Sequence, residues 1–261
     1  MGLVPASSEP FHRYVAIGDS FTEGVGDPDP ARPNGLRGWA DRVAEVLHSH
    51  TTGFGYANLA IRGRKLGRIL EEQLPAALAL EPDLVTSYAG ANDILRPKVD
   101  IDALATAYDD AVGRLAATGA TVVLFTAFDP GGSAIYRPLR GRFALYTEAV
   151  REIAERHDAV LVDFWRMREL RGWGYWDTDR MHLGPAGHQR MATAVLDALG
   201  VPHGLAPLPP TQHPVLGARE KRAAHLAWAR THAGPWVHRR LTGRSSGDGV
   251  LPKRPEVGPV G

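Results

Sequence analysis

Five short apolar runs rich in β-branched and aromatic residues punctuate the first part of the chain. They are YVAIG (14–18), FGYANLA (54–60), DLVTSYAG (83–90), TVVLFTAF (121–128) and AVLVDF (159–164). They are nearly continuous rather than alternating, the pattern of strands covered on both faces. Between them the period changes. GWADRVAEVLHSH (38–50), KLGRILEEQLPAALAL (65–80), DALATAYDDAVGRLAAT (102–118) and PLRGRFALYTEAVREIAERH (138–157) place apolar residues at i, i+3 and i+4, which predicts helices. GPAGHQRMATAVLDALG (184–200) closes the series, with Pro185 at a favoured first-turn position and Gly200 as a stop. Strands alternating with helices predict an α/β domain over residues 1–200, a five-stranded parallel sheet in a three-layer α/β/α arrangement. Right-handed crossovers then bring the loop-bearing strand ends to one edge.

Past Gly200 the pattern changes twice. Residues 201–216 open with the Pro-rich VPHGLAPLPPTQHP and read as a linker or strap. Residues 217–243 regain a helical period, with a break expected at Gly234-Pro235, and residues 244–261 have the Gly/Pro/Ser composition of a disordered tail. The segment from 217 onward is locally basic. One reading packs it back on the domain through Leu226, Trp228, Trp236 and Leu241 with its charges in water. The other, of a different class, is an anionic-surface binding module. The first is preferred, because charge is balanced elsewhere: the whole chain carries 30 Lys and Arg against 29 Asp and Glu, a net +1. Nucleic acid is therefore not an expected partner, and peripheral membrane contact is at most weak.

Cysteine is absent, which excludes disulfides, a thiolate nucleophile and Cys-ligated zinc. No window approaches the roughly 20 apolar residues of a membrane span, and the N-terminal stretch lacks a basic-then-apolar leader. A soluble, cytoplasmic protein is expected.

The strand ends carry the chemistry. Gly18-Asp19-Ser20 follows the first run, Asn58 and Gly63 the second, Gly90-Ala91-Asn92-Asp93 the third, and Asp179-Arg180-Met181-His182 precedes the last helix. Ser20 is open to two readings, a helix cap or a nucleophile at the carboxyl edge of a sheet. Ester hydrolysis needs a nucleophile, a base, a group that orients the base, and oxyanion donors. Ser20, His182 and Asp179 supply the first three. The backbone N–H groups of Ser20 and Gly63 and the Asn92 amide are candidate oxyanion donors, Gly63 because a missing side chain allows close approach. Asp19, Asn58 and Asp93 read as supporting residues that brace loops. His188 is a rival to His182, Asp177 and Asp163 are rivals to Asp179, and Asn92 could equally cap a turn. A metal site built from Asp179, His182, Asp93 and Asp19 lacks ligand spacing, so no metal or other cofactor is expected.

These four blocks, in order and over roughly residues 13–200, resemble the signatures of the SGNH/GDSL hydrolases. The resemblance implies a flavodoxin-like sheet of order 2-1-3-4-5 and ester hydrolysis through an acyl-enzyme on Ser20, with short-chain carboxylesters, acetylated sugars, thioesters and lysophospholipids all open as substrates. It implies the same roles for Ser20, His182, Asp179, Gly63 and Asn92. Leu183 departs from the proline that many members carry after the histidine. An acyltransferase on the same site remains an alternative. Substrate choice is poorly marked: loops 21–38, 94–101, 129–141 and 166–178 should surround Ser20 and mix Arg32, Arg37, Arg96, Arg137, Arg168 and Arg171 with aromatic residues. Short acyl chains are the expectation.

Overall fold

The computed structural model describes residues 10–133, 136–214 and 217–260. All five apolar runs form strands: β1 (Arg13–Gly18), β2 (Gly55–Asn58), β3 (Leu84–Tyr88), β4 (Thr121–Phe125) and β5 (Val160–Val162). They pair in parallel in the order β5-β4-β3-β1-β2. Adjacent residues of β1 serve opposite faces. Tyr14 and Ala16 pack with helices 38–50 and 185–198, whereas Val15 and Ile17 pack with helices 66–79, 101–116 and 140–156. Both sets are buried, so the strands are mostly apolar on both faces, with Asn58, Thr86 and Ser87 as buried polar exceptions, and no alternation survives in the sequence.

The sheet has six strands rather than five. β6 (Arg254–Gly258) lies antiparallel to β2, pairing Tyr56 with Gly258 and Asn58 with Arg254. The tail expected to be disordered is therefore ordered here. β2 would otherwise present an open edge, and an edge strand tolerates Pro255. Just before β6, Lys253 is buried and donates from Nζ to Asp41 Oδ2 (2.5 Å) and Arg37 O (2.8 Å). Burial pushes the Lys253 ammonium below and the Asp41 carboxyl above their usual ranges, while their mutual attraction works against both shifts.

The extension also departs from expectation. Helix 218–241 runs through Gly234-Pro235 without a break. A π-turn at Ala229–Ala233, in which Gly234 N–H donates to Ala229 O, places Pro235 at the start of a fresh α-helical segment, where its missing donor costs little. The same device precedes Pro75: a π-turn at Ile69–Gln73 ends with Leu74 N–H donating to Ile69 O. Of the residues expected to anchor the extension, Leu226 is exposed and Trp228 and Trp236 face the domain, while the Leu241 side chain lies outside the described residues. Residues 201–214 form a coil held by Thr211 N–H to Gly174 O (2.8 Å) and Gln189 Nε2 to Ala206 O (2.9 Å). Among the described residues, no helix is long and apolar enough to cross a membrane.

Candidate active site

β1 ends at Gly18, where φ is +151° and a Cβ would stand 2.6 Å from Thr22 Oγ1 and 2.7 Å from Tyr88 O. Only glycine fits that turn. Asp19 then caps the short helix Ser20–Glu23 by accepting from Phe21 N–H (3.0 Å). Phe21 is wedged among Trp39, Tyr88, Phe125 and Phe164, with ring centroids 4.4–5.6 Å away. This packing fixes Ser20, half-buried, with its side chain on a cavity at the sheet edge.

His182 reaches Ser20 from the loop before helix 185–198. Its Nε2 lies 3.0 Å from Ser20 Oγ, and its Nδ1 lies 2.6 Å from Asp179 Oδ2. The three-residue spacing lets Asp179 do two jobs. Oδ1 accepts the N–H groups of Met181 (2.8 Å) and His182 (3.0 Å), closing the loop, while Oδ2 holds the ring. Burial alone would raise the Asp179 carboxyl, but the hydrogen bond and charge of His182, with these two N–H groups, hold it below the usual range. Arg180, between the two, takes a left-handed φ of +59° and stacks on Trp173 and Trp228 at 5.8 and 5.3 Å. Strained non-glycine backbone of this kind concentrates at functional sites.

The rivals are occupied elsewhere. His188 is buried, accepts from Trp39 N–H (3.2 Å), donates to Val25 O (3.1 Å), and burial pushes it down to about 4, so it stays neutral. Asp163 is held by Arg151 at 2.8 and 3.0 Å. Asp177 contributes its backbone N–H to His182 O (2.9 Å) rather than its carboxylate to the ring.

Facing Ser20 is the turn at Gly63. Among the described residues neither the Ser20 nor the Gly63 N–H has an acceptor. Gly63 has φ +72°, again a glycine conformation. Its loop is held by two residues. Asn58 donates to Thr22 O (3.0 Å) and Tyr56 Oη (2.9 Å) and accepts from Ala60 N–H (3.1 Å). Glu23, fully buried and not singled out from sequence, accepts from Arg62 N–H (2.7 Å) and its guanidinium (2.5 Å). Asn92 lines the cavity, but both its amide hydrogens are engaged, with Asp19 Oδ2 (2.8 Å) and Arg64 O (3.0 Å). Asp93 accepts from Leu66 N–H (2.9 Å) and is raised by burial. Among the described residues no cluster of three or more His, Asp or Glu could hold a metal ion.

Asp19 is fully buried, and burial pushes its carboxyl up to about 7 against the opposing Phe21 N–H. Between about pH 4 and 7 the folded chain thus keeps a proton that the unfolded chain has lost, and this group lowers stability as pH rises through that window. The isosteric Asp19→Asn removes the effect. Its urea-unfolding free energy relative to wild type is expected to rise from pH 4.5 to pH 8 by about 2–4 kcal/mol. Parallel pH curves for the two proteins would show the carboxyl to be unperturbed.

The cavity holds about 320 Å³. Phe21, Leu95, Phe128, Tyr136, Phe164 and Trp176 make its apolar lining, whereas none of Arg32, Arg37, Arg96, Arg137, Arg168 and Arg171 reaches it. Arg32 and Arg37 pair with Glu45 instead, and Arg171 with Asp129. A further wall comes from the C-terminal extension: Thr231, His232, Pro235, Trp236, Arg239 and Ser246. Sequence reasoning placed Trp236 against the domain but did not bring the others to the site. The i, i+1, i+4, i+5, i+8 spacing of Thr231, His232, Pro235, Trp236 and Arg239 was the available signal, and Ser246 had none.

The fold defines the class, a three-layer α/β domain with a parallel-dominated sheet, and at its edge a serine, a histidine and a carboxylate stand within hydrogen-bond reach of one another. The sequence profile of the GDSL-like lipase/acylhydrolase family matches residues 16–190, so the chain belongs to that family and is a hydrolase of ester bonds. No curated protein matches it. Solved structures do. LAE5, an alpha/beta hydrolase enzyme from the metagenome of Lake Arreo, Spain, is 25% identical with a TM-score of 0.62, covering 76% of this chain and 98% of its own. A catalytic mutant of the acetylxylan esterase Axe2 from Geobacillus stearothermophilus is 23% identical with a TM-score of 0.62, covering 73% and 95%. A putative GDSL-like lipase from Parabacteroides merdae is 20% identical with a TM-score of 0.63, covering 75% and 98%.

Proposed function

We propose that the protein cleaves small carboxylic esters through an acyl-enzyme on Ser20. The observation that carries this is the unbroken relay of Ser20 Oγ, His182 and Asp179 at 3.0 and 2.6 Å. His182 Nε2 takes the hydroxyl proton as Oγ forms its bond to the carbonyl carbon. Asp179 fixes the tautomer with the proton on Nδ1 and stabilises the imidazolium. Negative charge developing on the carbonyl oxygen is met by the unengaged Ser20 and Gly63 N–H groups. Asn92 joins them by sharing a hydrogen it now directs to Asp19 or Arg64. The tetrahedral intermediate collapses, the C–O bond to the alcohol breaks, and His182 returns the proton to the leaving oxygen. Water then repeats the sequence on the acyl-enzyme and releases the acid.

A 320 Å³ cavity walled by aromatic rings suits acyl groups of a few carbons. The acetyl group named for Axe2 is of that size. The test is a 4-nitrophenyl ester series from acetate to palmitate, with intact-mass detection of an acyl adduct on the Ser20 peptide and an added alcohol acceptor. Turnover is expected to peak between acetate and butyrate and to yield free acid. A peak at long chains would overturn the size argument, ester product on the alcohol would make the enzyme a transferase, and absence of both adduct and turnover would overturn the mechanism.

A further inference from the structure

The wall supplied by helix 218–241 lies outside the family match, which ends at residue 190, and about a quarter of the chain is left uncovered by solved structures that are themselves matched almost completely. Nothing in the shared fold therefore assigns it a task. Its placement is nonetheless specific. Trp228 Nε1 donates to Asp179 O (2.9 Å), and its ring stacks on Arg180. Beyond the helix, Ser245 and Ser246 lie against Gly63, where a Cβ would stand 2.5 and 2.9 Å from their hydroxyl oxygens. The extension thus touches both the loop of His182 and the turn of Gly63. The face between those contacts presents Thr231, His232, Pro235, Trp236 and Arg239 to the cavity. Its first two members belong to the π-turn, an irregularity frequent at functional sites.

The charges on that cavity do not balance. Arg62 is paired with buried Glu23, and Asp179 with His182. Asp19, the remaining acid, is only partly ionised near pH 7 because burial raises it to about 7, and its oxygens are taken by Phe21 N–H and Asn92 Nδ2. Arg239, half-buried, has no carboxylate or other side-chain partner among the described residues, and His232 stands two turns earlier on the same face. A half-buried guanidinium on a cavity wall that also carries aromatic rings, with no carboxylate beside it, leaves its donors open to a ligand. Its planar donors match a carboxylate, sulfate or phosphate.

We propose that Arg239, assisted by His232, binds an anionic group of the substrate, so that the enzyme prefers esters carrying a negative charge. This rests on the Ser20 esterase reading above. The anion could belong to the acyl or to the alcohol half, and two matched pairs of probes separate these. The first pair is 4-nitrophenyl hydrogen glutarate and 4-nitrophenyl methyl glutarate; the second is 4-acetoxybenzoate and methyl 4-acetoxybenzoate. For at least one pair the wild-type kcat/KM ratio of charged to neutral ester is expected to reach about tenfold or more, mainly through KM. Arg239→Gln should bring that ratio near one, and Arg239→Glu should invert it. Arg230→Gln, on an exposed position of the same helix, should leave it in place.

Ratios near one for both pairs in the wild type would overturn the inference. So would a ratio that survives Arg239→Gln, or one that Arg230→Gln lowers equally, since either marks general steering by surface charge. If the neutral esters turn over in a Ser20-dependent way with flat ratios, only this inference falls. If no ester turns over, the parent reading falls, and a tryptophan-fluorescence titration with glutarate and benzoate decides the anion site separately. A saturable change lost in Arg239→Gln supports it; no difference between the proteins overturns it.

Discussion

Ser20→Ala is expected to lower ester kcat/KM by about 10⁴-fold or more while the protein stays folded. The serine hydroxyl has one recorded side-chain partner, His182 Nε2, and the residue is half-buried, so alanine removes the nucleophile without leaving a buried polar group unpaired. The backbone N–H that meets the oxyanion is retained, as is the cap by Asp19, which acts on Phe21. Turnover of 4-nitrophenyl acetate read beside a thermal melt checks both halves of the expectation. Activity within tenfold of wild type would rule Ser20 out as nucleophile. Lost activity together with a lost folding transition would leave only a structural role.

Asp179→Asn is expected to be nearly as severe, about 10⁴-fold in kcat. The reason is tautomeric. Asparagine can keep its oxygen on the N–H groups of Met181 and His182, which preserves the loop. Its amide nitrogen then faces His182 Nδ1 where a carboxylate oxygen stood, and the ring must carry its proton on Nε2. A ring protonated there cannot accept the Ser20 proton. Normal KM and stability with collapsed kcat would support this account, whereas a variant with wild-type kcat would remove Asp179 from the relay. Because His182 and the loop N–H groups hold the Asp179 carboxyl below its usual range, loss of activity on mild acidification is not expected to come from Asp179.

The parallel strands were legible because each is buried on both faces and so leaves a largely apolar run without a two-residue alternation, bounded by polar loops. The candidate site was legible for a related reason: the strand ends of a parallel sheet carry their loops to one edge, and Ser20, Asn92 and His182 lie on loops that meet there. Reach separates the rivals that sequence left open. Asp177 and Asp179 differ by two residues, yet only the latter places an oxygen on His182 Nδ1. β6 was invisible because Arg254–Gly258 has no apolar signature of its own; it is a strand by virtue of the free edge of β2, a partner some 200 residues away. Its burial of Lys253 depends equally on Asp41. The helix break expected at Gly234-Pro235 failed because a proline was judged as a helix interior residue, and the π-turn ahead of it made it a beginning. The loops expected around Ser20 mix arginines with aromatic residues, yet Arg32 and Arg37 pair with Glu45 and Arg171 with Asp129, and the arginines that line the cavity are Arg62, paired with Glu23, and Arg239 from the extension.

The pairing of β6 with β2 bears on how the cavity is walled. The segment that roofs the cavity is moored on both banks, by Gln189 and Gly174 before it and by the sheet edge and Lys253 after it. A span with two abutments can bow or slacken, but it cannot swing clear as a flap on one hinge does. Its two ends are thus fixed to opposite parts of the domain, and the cavity beside Ser20 has for one wall a stretch of chain built in at both ends.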